Sequence, residues 1–226
     1  MNIAVCLSGG LRNTEKCLQS IEHISQAGNV KIFVHSWVFA NEQNKIAPEQ
    51  RTYPNNNFNF LFEDARVVTT TIEQYEHKLD FLYKTKEKSQ VKLEAWPNKI
   101  VHFSMWYSVM QSNALKIKYE KDHSCLFDVV YRMRFDSLIT NPEHLLKSRL
   151  DDNTIVIPQV EKDYAGTNDQ FAYGSSNGMD KYASLFNNLN NITGVYDNPE
   201  TILKAHLATQ DVKIQRDLNL KVEIYH

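Results

Sequence analysis

The stretch FDVVYRMRFDSLI (residues 127–139) decides how the rest of the chain is read. Phe127, Val129, Val130 and Tyr131 suit a pleated, packed surface, so the segment begins as a buried strand. Then charge enters. Arg132, Arg134 and Asp136 are spaced by two, which on a continuing strand puts all three on one face. Two cations and a carboxylate on a buried strand edge are costly unless something pairs them. A phosphorylated ligand, with or without a divalent metal, would do so. An internal Arg–Asp salt bridge at a strand end would do it equally well.

Strand-like runs and helical periods alternate on both sides of this segment. Residues 2–7 read as a buried strand that ends in Ser8-Gly9-Gly10, and Asn13 or Thr14 can cap a helix running to about residue 27. Residues 30–35 form a second strand and 65–71 a third. Residues 72–93 read as a charged helix. Residues 104–120 read as a strong helix whose apolar stripe is Met105, Val109, Met110, Leu115 and Ile117. Asn141-Pro142-Glu143 and Asn198-Pro199-Glu200 both have the form of a helix start: a cap, a proline at the first helical position, and an acid near the positive end. Between them come a short strand at 154–157, a polar loop DQFAYG, and a helix at 178–189. Residues 41–59 are Asn-rich and read as a surface excursion.

This alternation predicts an α/β fold with a mainly parallel sheet flanked by helices. One domain over residues 1–226 is expected. The apolar alternation at 222–225 gives it the look of a domain cut from a longer protein.

Composition narrows the function classes. The chain has 226 residues, with 42% hydrophobic and 23% charged, and a formal net charge of −2. That is a globular composition with no basic footprint for nucleic acid. No apolar run has the length of a membrane span, and MNIAVCLSGG lacks the shape of a signal peptide. Cys6, Cys17 and Cys125 show no metal-ligand spacing and read as reduced core thiols, which points to a cytoplasmic protein.

In open α/β sheets, ligands bind beyond the carboxyl ends of the strands. The polar signals of this chain gather at those places. In SGGLR, Ser8, Gly9 and Gly10 let backbone amides approach a phosphate, and Arg12 can clamp it; a plain strand-to-helix turn is the alternative. His35, Ser36 and Trp37 stand at the mouth of the second strand and suit a nucleoside pocket, or simply a Trp closing the core. Asp136 is the carboxylate best placed to hold Mg2+ or Mn2+, and Arg134 can neutralise a diphosphate leaving group. In NDQFAYG, Asp169 and Gln170 suit a sugar-binding wall, with Asp169 able to activate an acceptor hydroxyl. His206, on the last helix, is a weaker metal candidate and reads first as structural.

Four blocks together resemble the GT-A-type glycosyltransferases that use nucleotide-diphosphate sugars: IAVCLSGGLR, IFVHSW, FSMWYSV…YEKDHSCLFDVVYRMRFD, and NDQFAYGSSNGMDKYASLF. More narrowly they look like small enzymes of bacterial polysaccharide clusters and of large DNA viruses. Residues 41–100 contribute little. In that family the middle strand ends in Asp-x-Asp or an Arg-x-Asp variant. This chain has the variant, with Arg134 in the first acidic position and Asp136 in the last. The resemblance implies a GT-A-like (Rossmann-like) α/β fold, a nucleotide-diphosphate sugar donor, a glycan or glycolipid acceptor, and a role in polysaccharide biosynthesis with Mn2+ or Mg2+ as cofactor. It implies nucleotide contacts at Ser8 to Arg12 and around His35. It also places Ser104, Met105 and Ser108 near the donor, Arg132 and Arg134 at the diphosphate, and Asp169 near the acceptor.

Two other readings stand beside it. Ser8-Gly9-Gly10 resembles the Ser-Gly-Gly-x-Asp-Ser loop of ATP pyrophosphatase-type ligases, but Leu11-Arg12-Asn13 replaces the acidic continuation. A non-catalytic interaction domain on a sugar-nucleotide fold would also tolerate Arg134 in an acidic position.

Overall fold

The computed structural model describes residues 1–10, 14–38, 64, 66–89, 91–93, 100–145, 148–158, 166–196 and 198–225. The elements run β1 (Asn2–Gly10), α1 (Thr14–Ser25), β2 (Asn29–Val38), β3 (Val67–Gln74), α2 (Tyr75–Lys88), β4 (Val91–Leu93), α3 (Ile100–Asp122), β5 (Val129–Met133) and β6 (Ser137–Ile139). They continue with β7 (Thr154–Pro158), β8 (Ala172–Gly174), α4 (Ser176–Ala183), α5 (Leu185–Asn188), β9 (Gly194–Tyr196), α6 (Pro199–Ala208), β10 (Lys213–Asp217) and β11 (Val222–Ile224).

The main sheet has seven strands in the order β10-β7-β8-β5-β1-β2-β3. All of its pairings are parallel except those of β8, which runs against both β5 and β7. The expected mainly parallel α/β architecture is therefore what forms. The chain builds outward from β1 to β2 and β3, then returns to lay β5 on the other side of β1. The carboxyl ends of β1 and β5 thus flank a topological switch point, where such sheets open a crevice for ligands.

Alternation along the strands divides the core into two layers. Ile3, Val5, Leu7, Val129, Tyr131 and Met133 pack with Cys17, Ile21 and Ile24 of α1. Ala4, Cys6, Phe33, Trp37 and Val130 pack beneath α3, α4 and α6. Cys125, expected in the core, is instead exposed after the end of α3, while Cys6 and Cys17 are buried.

Several local expectations shift. The third strand begins at Val67 and continues to Gln74, and the helix after it is α2 followed by the short β4. Asn141-Pro142-Glu143 starts only a 3-10 turn, Pro142–His144, without a side-chain cap. At Asn198 the same sequence device gives a full capping box and α6. The expected helix at 178–189 divides into α4 and α5 at Ser184. The polar loop at 169–174 contains β8, whose cross-strand Tyr131–Tyr173 pair stacks at 5.3 Å.

The apolar stripe expected on α3 is rotated. Ile117 is exposed, whereas Lys116 is fully buried. Lys116 is tolerated there because Glu120 (2.8 Å), Asp180 (2.7 Å) and the Ser176 hydroxyl (2.5 Å) surround its ammonium. Glu120 in turn accepts from Ser176 and from the Phe127 amide, so the ion network ties α3 to α4 and to the entry of β5. The excursion expected at 41–59 lies outside the described residues. Among the described residues, no helix is long and apolar enough to cross a membrane.

Candidate active site

At the carboxyl end of β1, Gly9 has φ +119°, a conformation that glycine adopts without steric cost. A Cβ at this position would meet nothing within 4 Å among the described residues. The peptide itself is fixed. The Gly9 amide donates to Ser108 Oγ at 2.9 Å, and Ser36 Oγ donates to the Gly9 carbonyl at 3.1 Å. Ser108 Oγ also meets His35 Nδ1 at 2.8 Å. Ser8 is buried, and its hydroxyl has no hydrogen-bond partner among the described residues.

Ser8, Gly9 and Gly10 close β1 as strand residues rather than as a turn, and His35, Ser36 and Trp37 lie beside them in register on β2. His35 and Ser36 are fully buried. The Trp37 indole N–H donates to the Ser104 carbonyl at 3.3 Å, and its ring stacks on Tyr107 at 5.5 Å. Burial pulls the His35 pKa down to about 4, with Glu73, 3.6 Å from Nε2, opposing. The imidazole is thus neutral near pH 7. Ser104 spends its hydroxyl on the Val101 carbonyl, and Met105 packs against the core. Replacing Ser108 by Ala would orphan the Gly9 amide and a His35 nitrogen together. The expected loss is about 1–3 kcal/mol, read as a lower urea midpoint at unchanged m-value. Arg12 lies outside the described residues.

The three charges of the opening segment do not share one face. β5 ends at Met133, and Arg134, Phe135 and Asp136 form a turn closed by the Ser137 amide on the Arg134 carbonyl (3.3 Å) and the Arg134 amide on Ser137 Oγ (3.2 Å). The period of two stops where the ladder stops. Arg134 instead folds onto Asp136 through two parallel bonds, Nε to Oδ1 at 2.8 Å and a terminal nitrogen to Oδ2 at 2.7 Å. Asp136 is wholly buried, and the Arg134 side chain is 15% exposed. Both oxygens of Asp136 are thus engaged. Among the described residues no three His, Cys, Asp or Glu side chains converge. This donor set does not fit a metal held by the protein, and no step below is routed through one. His206 is buried on α6 with Nε2 on the Lys181 carbonyl at 2.9 Å, a structural contact.

Arg132 does remain on the strand. It is 2% exposed, donates to the Gln170 carbonyl, and keeps Nε without a partner among the described residues. That bond joins it to the segment carrying Asp169. Because β8 runs against its neighbours, its lead-in at 166–171 arrives at the carboxyl edge of β5. Asp169 thereby reaches the same edge as Gly9 and Arg134. It is buried, and burial raises its pKa against the lowering pull of Arg132 and Arg134. The Asn168 side chain accepts from the amides of Gln170 (2.8 Å) and Phe171 (3.2 Å), which closes the turn around it.

One residue was not singled out from the sequence. Glu200, in the first turn of α6, is pushed up to about 7 by burial and then by the charge of Asp169. A helix N-terminus ordinarily favours a charged carboxylate, so desolvation outweighs the helix here. In sequence Glu200 looked like part of a helix start and nothing more.

The edge therefore brings together Ser8, Gly9, Arg132, Arg134, Asp136, Asp169 and Gln170, with His35, Ser36 and Trp37 beside it on β2 and Ser108 bonded to it from α3. Such an arrangement can neutralise an anion and take up a proton beside it. No curated protein matches this sequence. Among solved structures the chain is similar to mouse xyloside xylosyltransferase 1 in its apo form. That likeness has a TM-score of 0.46 and 8% identity, covering 96% of this chain and 85% of that one. The family model described as a domain of unknown function, DUF7796, matches residues 1–220, and the chain belongs to that family.

Proposed function

We propose that this protein is a glycosyltransferase of GT-A type, moving a sugar from a nucleotide-diphosphate donor to a hydroxyl of a glycan or glycolipid. One observation carries the reading: at a single sheet edge, beside the glycine end of β1, two guanidiniums stand near a buried carboxylate. Arg132 and Arg134 supply charge for a diphosphate, and Asp136 orients Arg134. Asp169 takes the proton from the acceptor hydroxyl as its oxygen bonds to the sugar carbon. The bond from that carbon to the diphosphate breaks, and the electron pair leaves on the diphosphate, stabilised by the guanidiniums. Burial raises the proton affinity of Asp169, which suits a general base working near neutral pH. The four sequence blocks that resemble this enzyme class support the same assignment.

A second reading has one observation in its favour. Arg134 and Asp136 already satisfy each other, as they would in an interaction domain that binds no nucleotide. Calorimetry with UDP-, GDP- and dTDP-sugars, each with and without Mn2+, separates the two. Binding of a nucleotide sugar is expected; binding of none overturns the transferase, and binding of ATP alone favours a ligase.

A further inference from the structure

The seven-stranded sheet ends on one side at β10, and among the described residues no strand pairs with its outer edge. The strand reads Lys213-Ile214-Gln215-Arg216-Asp217, with Lys213, Ile214 and Arg216 exposed. The Lys213 amide donates to the Asn153 carbonyl at 2.9 Å, and β10 pairs in parallel with β7 from Lys213 opposite Thr154 to Asp217 opposite Pro158. Backbone groups alternate in direction along a strand, so Lys213, Gln215 and Asp217 bond inward to β7. Ile214 and Arg216 turn their amides and carbonyls outward. Such a row of outward groups is a template for another strand.

The side chains select the strand that fits. Antiparallel pairing of two copies of β10 about a twofold axis at Gln215 sets Lys213 of each copy opposite Asp217 of the other. Ile214 then stands opposite Arg216 as a hydrogen-bonded pair, which uses the groups that face outward. Lys213–Asp217 and Gln215–Gln215 become the non-hydrogen-bonded pairs, in which side chains stand closest. Opposite charges directly across a ladder stabilise it, and like charges destabilise it. Centring the axis on Arg216 instead would oppose two guanidiniums and lose both charge pairs. The two charges are also available. Asp217 is aimed by the Tyr173 hydroxyl (2.8 Å) and by the Asn219 and Leu220 amides (3.0 Å each), none of which carries a charge. Lys213 meets Asp151 at 3.9 Å, a loose pair with both side chains exposed. Ile214 is 44% exposed, and the aliphatic stem of Arg216 from the other copy would cover it.

We propose that β10 is a self-association edge, through which two copies of this chain join antiparallel about Gln215 and continue the sheet across a twofold axis. β7, β8 and β5 separate β10 from β1, so the inference stands apart from the function proposed above. A ladder of five residues is short, and the dimer therefore forms with rising concentration rather than as an obligate pair.

The test is disulfide trapping of the full chain, with the exposed thiol removed by Cys125→Ser and the buried Cys6 and Cys17 left in place. Gln215→Cys puts two thiols on the axis, at a Cα separation of about 4.5 Å in a non-hydrogen-bonded pair, within disulfide reach. It should give a covalent dimer under mild oxidation. Ile214→Cys faces Arg216 rather than itself and should give none. No dimer from Gln215→Cys, or equal trapping in both variants, would overturn the proposal. Sedimentation velocity supplies the second readout. Lys213→Glu turns both charge pairs repulsive at an exposed position and should weaken self-association roughly 10-fold, with the Tm unchanged. A wild type that stays monomeric at every concentration, or a dimer that Lys213→Glu leaves unmoved, would equally count against this edge.

Discussion

Replacing Asp169 by Asn is expected to lower sugar transfer by about 10^2 to 10^4-fold, the usual contribution of a positioned general base. The fold should survive. Asp169 is buried and burial raises its proton affinity, so an Asn of the same shape removes a charge that is costly to hold there. The sign of the stability effect follows from linkage. Acids whose affinity for protons rises on folding bind more protons in the native state than in the unfolded chain. Their contribution is therefore present at low pH and is lost as pH rises, for Glu200 through the interval from its ordinary 4.5 to about 7. Asp169→Asn should accordingly unfold at least as high as the wild type at pH 8, with no advantage at pH 4. Wild-type transfer rates in this variant would remove Asp169 from the chemistry; a collapsed Tm at pH 8 would contradict the burial argument.

Replacing Asp136 by Ala is expected to abolish transfer and to destabilise the protein as well. Removing one partner of a buried ion pair costs about 3–5 kcal/mol, because the other charge stays behind uncompensated. The lower end applies here, since Arg134 is partly exposed and can turn toward water. The activity loss has a separate cause: without its two bonds to Asp136, Arg134 no longer holds a fixed direction toward a diphosphate. The double variant Arg134→Ala/Asp136→Ala tests this partition. Its stability loss should fall well short of the sum of the single losses, as it does for residues in direct contact, while its transfer stays abolished. Additive stability losses would mean that the pair is not the unit described. Retained transfer would sink the assignment of this corner to the donor.

The opening segment shows how far local pattern reaches. Its chemistry was legible: a buried strand ending in Arg132, Arg134 and Asp136 at a sheet edge. Its geometry was not. Period two holds only while a strand stays in its ladder, and nothing local announces that the ladder stops at Met133. Lys116 is a similar case. Helical periodicity pointed to Ile117 as part of the apolar stripe, but the partners that make Lys116 the buried residue include Ser176 and Asp180, far along the chain. For the HSW stretch, the sequence left a pocket lining and a core closure open, and the packing adds hydrogen bonds to Gly9 and to Ser104 and Ser108 of α3.

By itself, the sequence determined the alternation of strands and helices, the mainly parallel sheet, the glycines at the end of β1, and which residue types stand at the strand ends. These follow from periodicity, caps and glycine chemistry, which act over a few residues. Only the tertiary structure decided that β8 runs backwards, that its lead-in brings Asp169 to the edge shared by Gly9 and Arg134, and that Glu200 lies against that lead-in across Gly166. Strand direction and helix docking are set by burial and pairing between distant segments. The charges that define this candidate site take their roles from that packing.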